Sequence, residues 1–238
     1  MGKNIVLLHG WGAETKKLIP LKKELKKLGW SVFLPKLPGF ELPSPETVWG
    51  IQEYSDYIKK EAAGVFKKEK YFVFGHSFGG GIAIKTAKER NIGLEGIILC
   101  ASRGISRGKS IKRLVFIFVA KVGKIFLLTP KLGKKFKKFL YKAAREHDYE
   151  KLNGIMREVF KKVISEDLKP EIGKIKIPVL ILWGRDDRMT PASDALYLKK
   201  KLKLAKMKLF PKQGHKLPYK MPKALAKEIN LWQATHLT

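Results

Sequence analysis

A chain of 238 residues suits one domain, or one domain with an insertion, and 45% hydrophobic residues supply a large core. Its 50 Lys and Arg against 21 Asp and Glu give a formal net charge of +29, which points to a heavily solvated surface or an anionic partner. The single cysteine, Cys100, excludes an internal disulfide, and no apolar run reaches the ~18 residues of a membrane-spanning helix. The first apolar run, Ile5 to Leu8, is too short for a signal-peptide core. A cytoplasmic protein, peripheral to the membrane at most, is expected.

In chain order, residues 4–8 read as a strand, 14–28 as a helix and 31–36 as a strand. Pro35, Pro38, Pro43 and Pro45 then mark a loop. Residues 46–68 read as a helix, with Ile51, Tyr54, Ile58, Ala62, Val65 and Phe66 at helical spacing. Strand 71–75, helix 78–90 and strand 94–101 follow; Cys100 ends that strand and reads as a buried structural thiol. After a long interval come strand 178–184, helix 191–202, strand 206–211 and helix 220–235. This alternation predicts an α/β fold with a doubly wound, mostly parallel sheet of about six strands. Ligands then bind at the strands' C-terminal ends.

The interval from Arg103 to Ile175 breaks the alternation. Ile111, Leu114, Val115, Phe118, Val119 and Val122 repeat at helical spacing, as do Leu132, Phe136, Phe139, Leu140 and Ala143. Between Arg103 and Arg145 lie fourteen Lys or Arg and no acid.

The motif that carries chemistry is Gly75-His76-Ser77-Phe78-Gly79, set between an apolar strand and a helix. A serine framed this way sits in a sharp strand-to-helix turn that thrusts its hydroxyl out of the sheet edge. The turn brings the flanking positions together, so Gly75 and Gly79 must be small. A glycine-rich turn with a solvated serine is the plainer alternative; the strand before and the helix after favour the elbow. A serine hydroxyl is a weak nucleophile and needs a base with an orienting acid. The chain order Ser, acid, His on such a sheet is met by Gly184-Arg185-Asp186-Asp187 after one strand and Gly214-His215 after the next.

With these motifs the chain resembles the α/β-hydrolase superfamily, closest to small carboxylesterases and acyl-ester hydrolases. His9-Gly10-Trp11-Gly12 looks like that family's oxyanion loop, and Gly184, Asp187 and Pro191 match its Gly-x-x-Asp-x-x-x-Pro motif. One departure is Lys220, where many relatives carry Glu. The resemblance implies Ser77 as nucleophile, His215 as base and Asp187 as orienting acid, with Asp186 the adjacent alternative. It also implies an oxyanion hole from the backbone N–H groups of Trp11 and Phe78, supported by the loop and elbow glycines Gly10, Gly75 and Gly79. It places a helical cap at 103–175, inserted into a core of 1–102 and 176–238. The expected reaction is hydrolysis of a small-molecule or lipid-like acyl ester, or a thioester. His9 reads as a structural loop histidine and His76 as an elbow spacer.

No metal-ligand spacing or dinucleotide fingerprint appears, so neither metal nor cofactor is expected. The basic cap has three readings: a lid with a solvated outer face, an element that docks on an anionic membrane surface, or a dock for an acidic acyl carrier. Nucleic acid is not expected, since charge without a recognition module is insufficient. A non-catalytic binding protein on the same scaffold is the rival function.

Overall fold

The computed structural model describes residues 3–89, 93–105 and 154–235. Six strands form one sheet: β1 (Lys3–Leu8), β2 (Trp30–Phe33), β3 (Tyr71–His76), β4 (Leu94–Cys100), β5 (Val179–Gly184) and β6 (Ala205–Phe210). Their order is β2-β1-β3-β4-β5-β6, and every neighbouring pair is parallel. The doubly wound α/β architecture is therefore present.

The central strands are apolar on both faces because both faces are covered. Side chains alternate along a strand, so Ile5, Leu7, Phe72, Phe74, Ile98, Leu180 and Leu182 fill one layer. Helices α1 (Ile19–Lys27) and α8 (Pro222–Ala234) close that layer through Leu21, Leu25, Leu225, Ile229 and Trp232. Val6, Leu8, Val73, Ile97, Leu99, Ile181 and Trp183 fill the other. There α2 (Ile51–Phe66), α3 (Phe78–Lys88), α4 (Ile155–Ser165) and α6 (Ala192–Lys201) pack. Cys100 is buried in the first layer.

The strand order places the site. The chain moves outward from β1 to β2, then returns past β1 to β3. A crevice opens where the winding reverses, at the C-terminal ends of β1 and β3. The loop His9-Gly10-Trp11 and the turn at Ser77 stand at those two ends.

Several element limits differ from the sequence expectation for local reasons. The strand expected over 31–36 ends at Phe33, two residues before Pro35, which has no N–H for a ladder. The helix expected over 14–28 opens as a tight turn, Thr15–Leu18, before α1 begins with Pro20 in its first turn. The helix expected over 46–68 starts only at Ile51. Glu53 Oε2 accepts the Gly50 N–H at 2.6 Å, and Glu166 Oε1 accepts the Ile51 N–H at 2.8 Å. These acceptors satisfy donors that a helix start leaves free. The helix expected over 220–235 is α8, opened by Pro222, and a short helix that was not expected, α7 (Leu217–Lys220), precedes it. Within the long interval, α4 and the short α5 (Lys169–Ile172) are helical as expected. The helical repeats over 111–122 and 132–143 lie outside the described residues. Among the described residues, no helix is long and apolar enough to cross a membrane.

Candidate active site

Ser77 links β3 to α3 at φ 51°, ψ −109°. Positive φ is unfavourable for a residue with a Cβ, so the surroundings must hold it. The Ser77 N–H donates to Cys100 O at 3.1 Å, and Ser77 O accepts from Arg103 N at 2.9 Å and Gly80 N at 3.0 Å. The glycines beside it are there for space. A Cβ on Gly75 would stand 2.2 Å from Gly79 O, and one on Gly79 would stand 2.6 Å from Leu8 O. Gly10 is also tight: its Cβ would meet His76 Nδ1 at 3.1 Å and the Ser77 Cβ at 3.4 Å.

Asp187 and His215 come together from the ends of β5 and β6. Arg185 N donates to Phe210 O at 2.9 Å and Asp186 N to Gln213 O at 2.8 Å, which locks the two loops side by side. His215 Nδ1 lies 2.8 Å from Asp187 Oδ2. A carboxylate only accepts, so Nδ1 carries the proton and Nε2 is the ring's basic atom. Asp187 is buried, and its Oδ1 accepts N–H groups from Met189 at 2.7 Å and Thr190 at 3.0 Å. Burial alone would raise its pKa. The His215 hydrogen bond and charge, with the two backbone donors, outweigh burial and hold it below the ordinary carboxyl value. Asp186, the neighbouring acid, is exposed, so the geometry distinguishes the two carboxylates.

Residues that the sequence reading did not single out support this pair. Thr190 Oγ1 lies 2.9 Å from Asp187 Oδ2 and 3.1 Å from Ala101 O. The Trp183 indole N–H donates to Thr190 O at 2.7 Å, fixing that turn from the core. His76 does more than space the elbow. Its Nε2 lies 2.8 Å from the His215 carbonyl and must therefore donate. Its Nδ1 then accepts from the Tyr219 hydroxyl at 3.1 Å. Burial, with the nearby His215, lowers the His76 pKa to about 3, so this ring is neutral. A Tyr219–His76–His215 chain thus braces the loop that carries His215. No motif marked Tyr219, which lies 143 residues from His76.

Two backbone donors flank Ser77. Among the described residues neither the Trp11 nor the Phe78 N–H is taken by a protein acceptor. The Ser77 hydroxyl likewise makes no hydrogen bond among the described residues; such bonds commonly tighten only when substrate is bound. Beside these donors stands an aromatic wall. The Trp11 ring lies 5.0 Å from Phe40, 5.3 Å from Phe78 and 5.0 Å from Phe160, the last delivered by α4. His9 is buried beneath the loop, with Nδ1 2.9 Å from Gly10 O; burial lowers its pKa. That placement fits a structural loop histidine.

Comparison with known proteins agrees with this architecture. Residues 2–219 match the Hydrolase_4 family, described as serine aminopeptidase, S33. The AB hydrolase superfamily protein YisY of Bacillus subtilis is 26% identical over 238 residues, covering 90% of this chain and 85% of its own. The pimeloyl-[acyl-carrier protein] methyl ester esterase of Nitrosomonas europaea is 22% identical over 234 residues, covering 90% and 89%. Among solved structures, a thermophilic esterase from Thermogutta terrifontis superposes with a TM-score of 0.72 at 20% identity, covering 100% of this chain and 92% of that one. Fold, motif order and family match converge: the chain belongs to the Hydrolase_4 family of the α/β-hydrolase superfamily.

Proposed function

We propose that this chain is a serine hydrolase that cleaves a carboxylic ester or thioester through an acyl-enzyme. Ser77 Oγ attacks the carbonyl carbon as its proton passes to His215 Nε2. The oxyanion is received by the Trp11 and Phe78 N–H groups. Collapse expels the alcohol or thiol, which takes the proton from His215. Water, activated by the same imidazole, then releases the acid and restores Ser77. Asp187 fixes the imidazole tautomer and stabilises the cation formed in each half-reaction.

The observation that carries this reading is the buried Asp187–His215 pair at 2.8 Å, set at the sheet edge where β3 ends in the strained Ser77. The aromatic wall around Trp11 supports an apolar acyl group. The interval 103–175 is the proposed cap over that wall, and its cationic run the proposed dock for an acidic carrier or anionic surface.

Hydrolysis of p-nitrophenyl esters from acetyl to long acyl chains tests the reading. Turnover should be present in the wild type and vanish in Ser77→Ala, whose circular dichroism should be unchanged. Full turnover in Ser77→Ala would overturn the reading, and the chain-length optimum would measure the acyl pocket.

A further inference from the structure

A cleft of about 410 Å³ opens against His215 between the β5 and β6 loops, walled by Asp186, Arg188, Met189, His215, Lys216 and Lys220. Arg188, Lys216 and Lys220 are exposed, and among the described residues none of their side chains is engaged in a hydrogen bond or ion pair. One lining acid, Asp186, stands against these three cations. Asp187 forms no ion pair with them, because its carboxylate is buried and turned onto His215, Met189 and Thr190. Met189 is 55% exposed and gives the cleft an apolar patch.

Location gives this charge its meaning. His215 Nδ1 is held by Asp187, so proton donation runs through Nε2, and the group that receives the proton departs beside His215. The flank of Ser77 at Trp11, Phe40, Phe78 and Phe160 is aromatic instead. Two chemically different regions therefore border one reaction centre. We propose that the Arg188–Lys216–Lys220 cleft is an anion subsite, which takes a carboxylate or phosphate carried on the leaving-group side of the substrate. The Arg188 fork offers two parallel donors to such a group, and the two lysines add point charges. The assignment of the leaving-group side rests on the serine-hydrolase reading; the anion binding does not.

The test uses a matched pair, 3-hydroxybenzoate and its neutral analogue 3-hydroxybenzamide. Equilibrium dialysis measures binding of both to the wild type, to an Arg188→Gln/Lys216→Gln/Lys220→Gln variant and to a control. The control, Lys68→Gln/Lys200→Gln/Lys203→Gln, removes the same charge near the N-terminal ends of β3 and β6, at the opposite edge of the sheet. Exposed cations each contribute up to about five-fold. Benzoate should bind the wild type and control alike, and the cleft variant about ten-fold more weakly, with benzamide indifferent to all three. The butyryl esters of the two phenols give the kinetic arm. The wild type should favour the anionic ester through KM, and the cleft variant should lose that preference. Equal benzoate binding by the cleft variant and the wild type overturns the subsite, as does an equal loss in the control. If neither ester is turned over, the esterase reading fails for these substrates, and dialysis still decides the subsite.

Discussion

Ser77 occupies backbone angles that glycine adopts freely and other residues adopt at a cost of about 1–3 kcal/mol. Ser77→Gly should therefore abolish ester turnover while raising stability by about 1 kcal/mol in urea unfolding; a loss of stability would show that the hydroxyl supports the fold. Asp187→Asn leaves an acceptor facing the ring but no charge to fix the tautomer. It should lower kcat by about 10³–10⁴-fold, measured on whichever ester the wild type prefers. His76 gives a stability signature instead. Its pKa falls from 6.5 to about 3 on folding, so between those values the unfolded chain holds one more proton. Stability must then rise with pH across that window, by up to about 1.4 kcal/mol per unit from this group. His76→Gln keeps a side-chain N–H for the His215 carbonyl but removes the titration. The slope of unfolding free energy between pH 4 and pH 6 should fall by close to one proton; an unchanged slope would deny the buried neutral ring.

Among the elements, the start of α2 depends on a residue far away in sequence. Glu166, just past α4, accepts the Ile51 N–H, while Lys162 on α4 reaches Glu53 at 2.9 Å. Glu166→Ala should destabilise the protein by about 1–2 kcal/mol, the usual effect of losing a helix cap, and Glu166→Gln should recover most of it. Urea midpoints check both. This junction also shows what the sequence could and could not reveal. Strands β1, β3, β4 and β5 were legible because a sheet covered on both faces demands unbroken apolar runs. The turn at Ser77 was legible because its close-packed flanks admit only glycine, and the pairing of Asp187 with His215 because each directly follows a strand of the same sheet. The Glu166 cap on α2, the brace through Tyr219 and the contact of Phe160 with Trp11 were not legible. Each joins partners roughly 115 to 149 residues apart, and local periodicity carries no record of such pairings. His76 looked like a spacer for the same reason: its role depends on the β6 loop.

At the scale of the whole molecule, a formal charge of +29 makes self-repulsion a general tax on compactness. Many of the described ion pairs are solvent-exposed, such as Lys16–Glu14 and Lys161–Glu158, and contribute little. Raising NaCl from about 20 to 200 mM shortens the screening length to below ~10 Å and should raise Tm; a flat or falling Tm would mean that the cations are locally compensated. The order of parts along the chain has one more consequence. Ser77 and both unpaired backbone donors precede residues 106–153, whereas Asp187 and His215 follow them. The halves meet along the β4–β5 seam, where Ile97 to Cys100 register with Val179 to Leu182, and at Arg103, whose backbone holds Ser77 while its guanidinium donates to Ile164 O. A protein built this way is a natural candidate for a split reporter: on the proposed mechanism neither fragment alone holds a complete centre, and a fluorogenic ester would be cleaved only when two tagged partners bring the seam back together.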